Sequence, residues 1–277
     1  MTRAGRGDAT LGESFAKAAR GWLHGGVSAF GFLTVFGSPL VPSQASLPWF
    51  PLVGAVLGCA LGSLWWGAAR VLPAGVAAAV VVVADLAITG MLHFDGVCDS
   101  ADGLLGHMAS ARRLEVMREP GVGAWGVAAG ASMLGLRWVA LASLQPGLLL
   151  LAGLWCLSRS TMALAALSLP YARSDGGLLS AFRAGDPPPG AEASSPGAAA
   201  PLGRRAMVAV PGLVLAVALL EAWRPVHGAE VLAAGAVAAA VVLARARRAI
   251  GGVTGDVLGA LGVVMETLGL VAATLRT

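Results

Sequence analysis

The sequence predicts an all-α, polytopic integral membrane bundle, and three observations carry that reading. Apolar residues make up 57% of the 277 positions and charged residues only 12%, about half the charge of a typical soluble domain. Charge-free apolar runs recur along the chain, several near the ~20 residues a helix needs to cross a ~30 Å hydrocarbon core. The basic residues are not scattered: they fall between alternate runs, on one side.

Taken in order, residues 1–21 read as a polar, basic tail on the cytoplasmic side, with Arg3, Arg6, Lys17 and Arg20. Residues 22–38 are apolar but short, Gly-rich and interrupted by His24, which suits an interfacial or half-inserted helix. About seven spans follow, near 50–69, 71–92, 121–144, 147–169, 206–223, 229–245 and 255–274. Residues 184–203 are rich in Pro, Gly, Ala and Ser and read as a flexible cytoplasmic loop. No internal repeat is evident, so residues 1–277 are treated as one membrane-embedded domain.

Charge sets the expected orientation. The tail and the segments after spans two, four and six hold Arg3, Arg6, Lys17, Arg20, Arg112, Arg113, Arg118, Arg173, Arg183, Arg204, Arg205, Arg245, Arg247 and Arg248. The other side holds Arg70, Arg224 and Arg276, while Arg137 and Arg159 fall within spans. The positive-inside rule makes the basic side cytoplasmic, in the cell (inner) membrane. The pI near 9.6 therefore reflects topology, with the lipid bilayer as partner and no nucleic acid. Cys59, Cys98 and Cys156 are too far apart for a zinc pattern, and structural disulfides do not suit a cytoplasmic face.

Chemistry concentrates in His93-Phe94-Asp95-Gly96-Val97-Cys98-Asp99-Ser100-Ala101-Asp102-Gly103. Asp95, Asp99 and Asp102 stand at i, i+4 and i+7, which places all three carboxylates on one helical face. Like charges so close repel unless a cation lies among them, and hard oxygen ligands suit Mg²⁺ or Mn²⁺. A solvated loop is the simpler alternative. The regular spacing, the flanking Gly96 and Gly103, and His93 argue against it.

Four further positions are candidates. Arg113 and Arg118 belong either to a positive-inside anchor or to an amphipathic helix whose arginines meet phosphates. Arg159 lies within an apolar span, where a lone arginine is costly and functional by default; its plain alternative is pairing with Asp85 or a carbonyl. Asp256 opens the last span, either as a first-turn aspartate or as a remote acid completing a metal site.

These segments together resemble the cobalamin synthase family, the adenosylcobinamide-GDP ribazoletransferases. The aspartate stretch is similar to the family's H-x-D-G-x-x-D-x-x-D-G. Arg113-Leu114-Glu115-Val116-Met117-Arg118-Glu119 resembles R-x-x-E-I-M-K/R-D, and Val122-Gly123-Ala124-Trp125-Gly126 resembles the x-G-x-x-G that follows it. Phe50-Pro51-Leu52-Val53-Gly54, Ser158-Arg159, Tyr171-Ala172-Arg173 and Thr254-Gly255-Asp256 match further signatures, so that about residues 30–275 are covered. The chain departs at Thr34, which Val35-Phe36-Gly37 follows where the family has T-R-L-P, and at Glu119-Pro120.

The resemblance implies a reaction: adenosylcobinamide-GDP and α-ribazole, or α-ribazole 5′-phosphate, give adenosylcobalamin, or its 5′-phosphate, and GMP. Such a transfer needs charge neutralisation and in-line positioning more than covalent chemistry. Mg²⁺ is accordingly expected at Asp95, Asp99 and Asp102, with Asp256 a further candidate. His93 is the candidate general base or orienter, and Arg113, Arg118 and Arg159 are candidates for pyrophosphate oxygens. A CDP-alcohol phosphotransferase would need D-G-x-x-A-R, but Asp99 and Ser100 stand where Ala and Arg belong. An aspartate-rich prenyltransferase would need N/D-D-x-x-D, and a transporter would place its acids near the midplane in paired repeats.

Overall fold

A computed structural model describes residues 20–37, 42–173, 182 and 200–275. Ten helices carry the described fold: α1 (20–33), α2 (Phe50–Ala68), α3 (Ala74–Ile88), α4 (Leu92–Leu105), α5 (Ser110–Val116), α6 (Ala124–Ser143), α7 (Leu148–Ser168), α8 (Leu202–Trp223), α9 (Pro225–Ile250) and α10 (Gly255–Ala272). A short 3₁₀ turn, Gln44–Trp49, leads into α2. Among the described residues no β-strand forms, and the expected all-α bundle is what the chain adopts. Six helices are long and apolar enough to cross a membrane, and the bent pair α3–α4 brings the number to seven. Most of the loop expected at 184–203, and residues 1–19 of the expected tail, lie outside the described residues; positions 20 and 21 already belong to α1.

α7 and α10 form the interior. Both are buried over most of their length, and their side chains face neighbours on every side. By contrast α6, α8 and α9 leave Val139, Met207, Val214, Val237 and Val241 exposed, as lipid-facing helices should. α2 packs on α7 through Gly54, Gly58 and Gly62, spaced i, i+4, i+8. A Cβ at any of the three would run into the backbone of Trp155, Leu151 or Leu148. The two backbones therefore meet directly, the small-residue packing that drives helix association where lipid cancels the hydrophobic effect.

One boundary departs from the sequence reading. The apolar run 71–92 reads as a single span, yet α3 ends at Ile88 and α4 leaves it at 89°. The cause is local. Gly90 (φ 58°) and Met91 (φ 59°) are both left-handed, and two such residues in succession cannot continue a right-handed helix. The freed Ile88 carbonyl accepts the Val35 N–H at 2.8 Å. We read α3 as the seventh span and α4 as lying outside the spanning helices, across one end of the bundle.

Candidate active site

α4 is held between α6 and α10, and its two ends are fixed by different means. Near its start, Gly96 and Gly259 let α4 and α10 approach so closely that a Cβ at either would press on the other helix's backbone or side chains. At its end the orphan carbonyls of Gly103 and Leu104 accept Arg113 Nη1 at 2.8 and 2.9 Å, and Arg245 Nη2 also donates to Leu104. Cations at a helix C-terminus satisfy both the carbonyls and the dipole. Arg113 is thus buried and committed to positioning α4.

The three aspartates divide. Asp95 is exposed and Asp99 half-buried, and both line an open polar cleft with Arg118, Glu119 and Gly121. Asp102 is buried. Its Oδ2 accepts Gly123 N–H at 2.7 Å and its Oδ1 accepts Gly126 N–H at 2.9 Å. It caps the N-terminus of α6 from a neighbouring helix, where a negative charge meets the positive end of the dipole. A Cβ at Gly123 or Gly126 would collide with that carboxylate, which accounts for the glycine spacing.

Asp256, at the start of α10, joins Asp95 in a second cavity with His93 and Arg173. Arg173 Nη2 donates to Asp256 Oδ2 at 2.8 Å, and Thr254 Oγ1 donates to the same oxygen at 3.2 Å. A small parallel bridge sets this geometry: Ala172 N–H donates to Val253 O at 3.0 Å and Val253 N–H to Pro170 O at 2.9 Å. His93 is buried, and neither ring nitrogen has a hydrogen-bond partner.

The Asp99 carboxyl is pushed up to about 7, first by burial and then by the charges of Asp95 and Asp256; Arg173 opposes the shift. Among the described residues no three His, Cys, Asp or Glu side chains converge tightly enough to hold an ion alone. An all-oxygen set of two carboxylates nonetheless suits Mg²⁺, which keeps waters and substrate phosphates as its remaining ligands.

Arg159 lies elsewhere. Its Nη1 is 2.6 Å from Glu266 Oε1, and the Ser158 hydroxyl donates to the same oxygen at 2.7 Å. Arg137 donates to Glu266 Oε2 at 2.9 Å and also pairs with Asp85, which accepts Trp155 Nε1–H at 3.1 Å. Two acids and two arginines therefore neutralise one another inside the bundle. Of the arginines proposed for phosphate, Arg118 reaches the polar cleft, while Arg113 and Arg159 are engaged internally.

Sequence reasoning did not single out Arg173 or Arg137 as site or network residues. Arg137 could have been found by the rule that flagged Arg159, an arginine within an apolar span. The Arg173–Asp256 pair, 83 residues apart in sequence, leaves no local signal.

Comparison with known proteins places the chain. The family model for cobalamin-5-phosphate synthase matches residues 25–274. The adenosylcobinamide-GDP ribazoletransferase of Chlorobium phaeovibrioides is 36% identical over 91% of this chain and 97% of its own length. That of Syntrophobacter fumaroxidans is 38% identical over 91% of this chain and 98% of its own. No solved structure matches. With the match running from α1 to the end of α10, and the aspartate helix, the glycine cap of α6 and Asp256 all inside it, the chain belongs to the cobalamin-5-phosphate synthase family.

Proposed function

We propose that this protein is an Mg²⁺-dependent adenosylcobinamide-GDP ribazoletransferase working at the cytoplasmic face of the cell membrane. A hydroxyl oxygen of α-ribazole, or of its 5′-phosphate, bonds to the phosphorus carried by cobinamide. The bond from that phosphorus to GMP breaks, GMP takes the electron pair, and the hydroxyl proton passes to a base. The observation that carries this reading is the position of Asp95, which lies in the wall of two cavities at once. Two substrates can meet there from opposite sides, as an in-line displacement requires.

The residues take these roles. Asp95 and Asp99 are the ligands for Mg²⁺, which when bound would neutralise phosphate charge. Asp102 adds charge beside them and holds the N-terminus of α6 in place. Arg118, in the same cleft, faces pyrophosphate oxygens. His93, with both nitrogens unpartnered beside Asp95, receives the hydroxyl proton. Arg173 and Asp256 neutralise each other in the second cavity, so a phosphate arriving there would compete with Asp256 for the guanidinium. The basic residues on the side of α4 and α5 support a cytoplasmic site.

The test is conversion of adenosylcobinamide-GDP and α-ribazole to a cobalamin and GMP by purified protein in detergent or lipid. Chelation should abolish turnover, with Mg²⁺ restoring it; turnover unaffected by EDTA would remove the metal from the mechanism. Because Asp99 titrates near 7, protons should compete with the ion. The Mg²⁺ concentration for half-maximal rate should rise as pH is lowered through about 7, approaching tenfold per pH unit below it, and flatten above it. A requirement independent of pH between 6 and 8 would place the cation away from Asp99.

A further inference from the structure

The two cavities that share Asp95 differ in character, and the difference assigns the two substrates. The cleft with Asp99 and Arg118 is open and polar. The other cavity is lined by Phe32, Phe50, Phe182, Leu47 and Met162 together with Asp95, Asp256 and His93. Its three phenyl rings pack on one another as a single aromatic wall, with centroids 6.0 Å apart for Phe32–Phe50, 5.6 Å for Phe32–Phe182 and 5.7 Å for Phe50–Phe182.

We infer that the cavity with the phenylalanine wall seats the aromatic base of the acceptor nucleoside, and that the donor's pyrophosphate lies in the polar cleft on the far side of Asp95. This rests on the transferase reading above. α-Ribazole carries a dimethylbenzimidazole, a flat ring whose outer edge is two methyl groups. Such an edge can be buried among Phe, Leu and Met with nothing left unsatisfied, and stacked or edge-on rings add to the burial. The donor's guanine suits such a wall poorly: its carbonyl, ring N–H and amino groups would be desolvated against it without partners. The corrinoid portion, far larger than the acceptor, needs the open side. With the base against the phenylalanine wall, the ribose lies toward His93 and Asp95, where its hydroxyl must be to attack.

Two substitutions of opposite sense test the assignment. Phe32 is only half-buried, so Phe32→Ala removes part of that wall without gutting the core. The KM for α-ribazole should rise about tenfold, the scale of a lost apolar contact in a pocket, with the KM for adenosylcobinamide-GDP unchanged within twofold. Ala166, which also lines the cavity, is enlarged in Ala166→Leu. That variant should disfavour α-ribazole and favour the riboside of unsubstituted benzimidazole, reversing the wild-type preference. Should either variant accumulate poorly, Phe32→Leu with the same two KM values decides. A rise in the donor KM with an unchanged acceptor KM, or an unchanged preference between the two ribosides, overturns the assignment. Absence of cobalamin formation by the wild-type protein would instead defeat the transferase reading, which keeps the two failures distinct.

Discussion

Asp95→Asn and Asp99→Asn should each lower turnover by about 10³-fold, while Asp102→Asn should cost far less in rate and more in stability. The structure is the reason for the split. Asp95 and Asp99 open onto the polar cleft, which the proposed mechanism makes the site of phosphate neutralisation, and loss of one such electrostatic contact is typically worth about 10²–10³ in rate. On the metal-dependent mechanism proposed above, removing a carboxylate also removes a ligand for the cation. Asp102 acts on the fold instead, since both of its oxygens already accept backbone N–H groups at the start of α6. Loss of such a cap costs about 0.5–2 kcal/mol, and an amide side chain still offers one acceptor. Rates should be normalised to membrane-inserted protein, with thermal unfolding followed in parallel. Asp95→Asn within tenfold of wild type would remove Asp95 from the metal site. Asp102→Asn as inactive as Asp95→Asn, yet as stable as wild type, would make Asp102 a direct ligand.

Much of the architecture was legible because a bilayer leaves few choices. Long apolar runs must be helices, and the placement of Arg and Lys orders them. The local spacing of Asp95 and Asp99 was also legible, since i and i+4 share a helical face. What escaped was set by residues distant in sequence. The run 71–92 is apolar throughout, and nothing in its hydropathy shows that Gly90 and Met91 turn left-handed and send α4 across the bundle. Asp102 has the same local spacing as its neighbours, but Gly123 and Gly126 claim its oxygens. Arg113 reads as a phosphate contact or an anchor until the carbonyls ending α4 are seen on its guanidinium. Glu266 and Asp85 belong to no motif, and their meaning lies in the arginines they face. The aromatic wall of Phe32, Phe50 and Phe182 joins residues up to 150 positions apart; Phe50 heads a family signature, but nothing in the local sequence brings the three together.

Glu266→Leu should be the most damaging single change away from the cleft. Glu266 is 1% exposed and receives Arg137, Arg159 and the Ser158 hydroxyl. Removing it leaves two buried arginines facing the single carboxylate of Asp85. Breaking a buried ion pair by removing one partner costs about 3–5 kcal/mol, because the remaining charge stays desolvated. The thermal midpoint in detergent should therefore fall steeply, with little folded protein recovered. Deleting a balanced pair behaves differently. Glu266→Leu with Arg159→Met takes away one charge of each sign and leaves Asp85 with Arg137 still matched, so most of the lost stability should return. The coupling energy between the two positions is the quantity measured, and it should be large and favourable to the double variant. Additive losses would mean that Arg159 draws its stability from a partner other than Glu266. Near wild-type stability in the single Glu266→Leu variant would mean that water reaches the network and screens it. A double variant that is stable but slow would add a further result: Arg159, close to His93 in the small cavity they both line, would then matter to the electrostatics at His93 as well as to the fold.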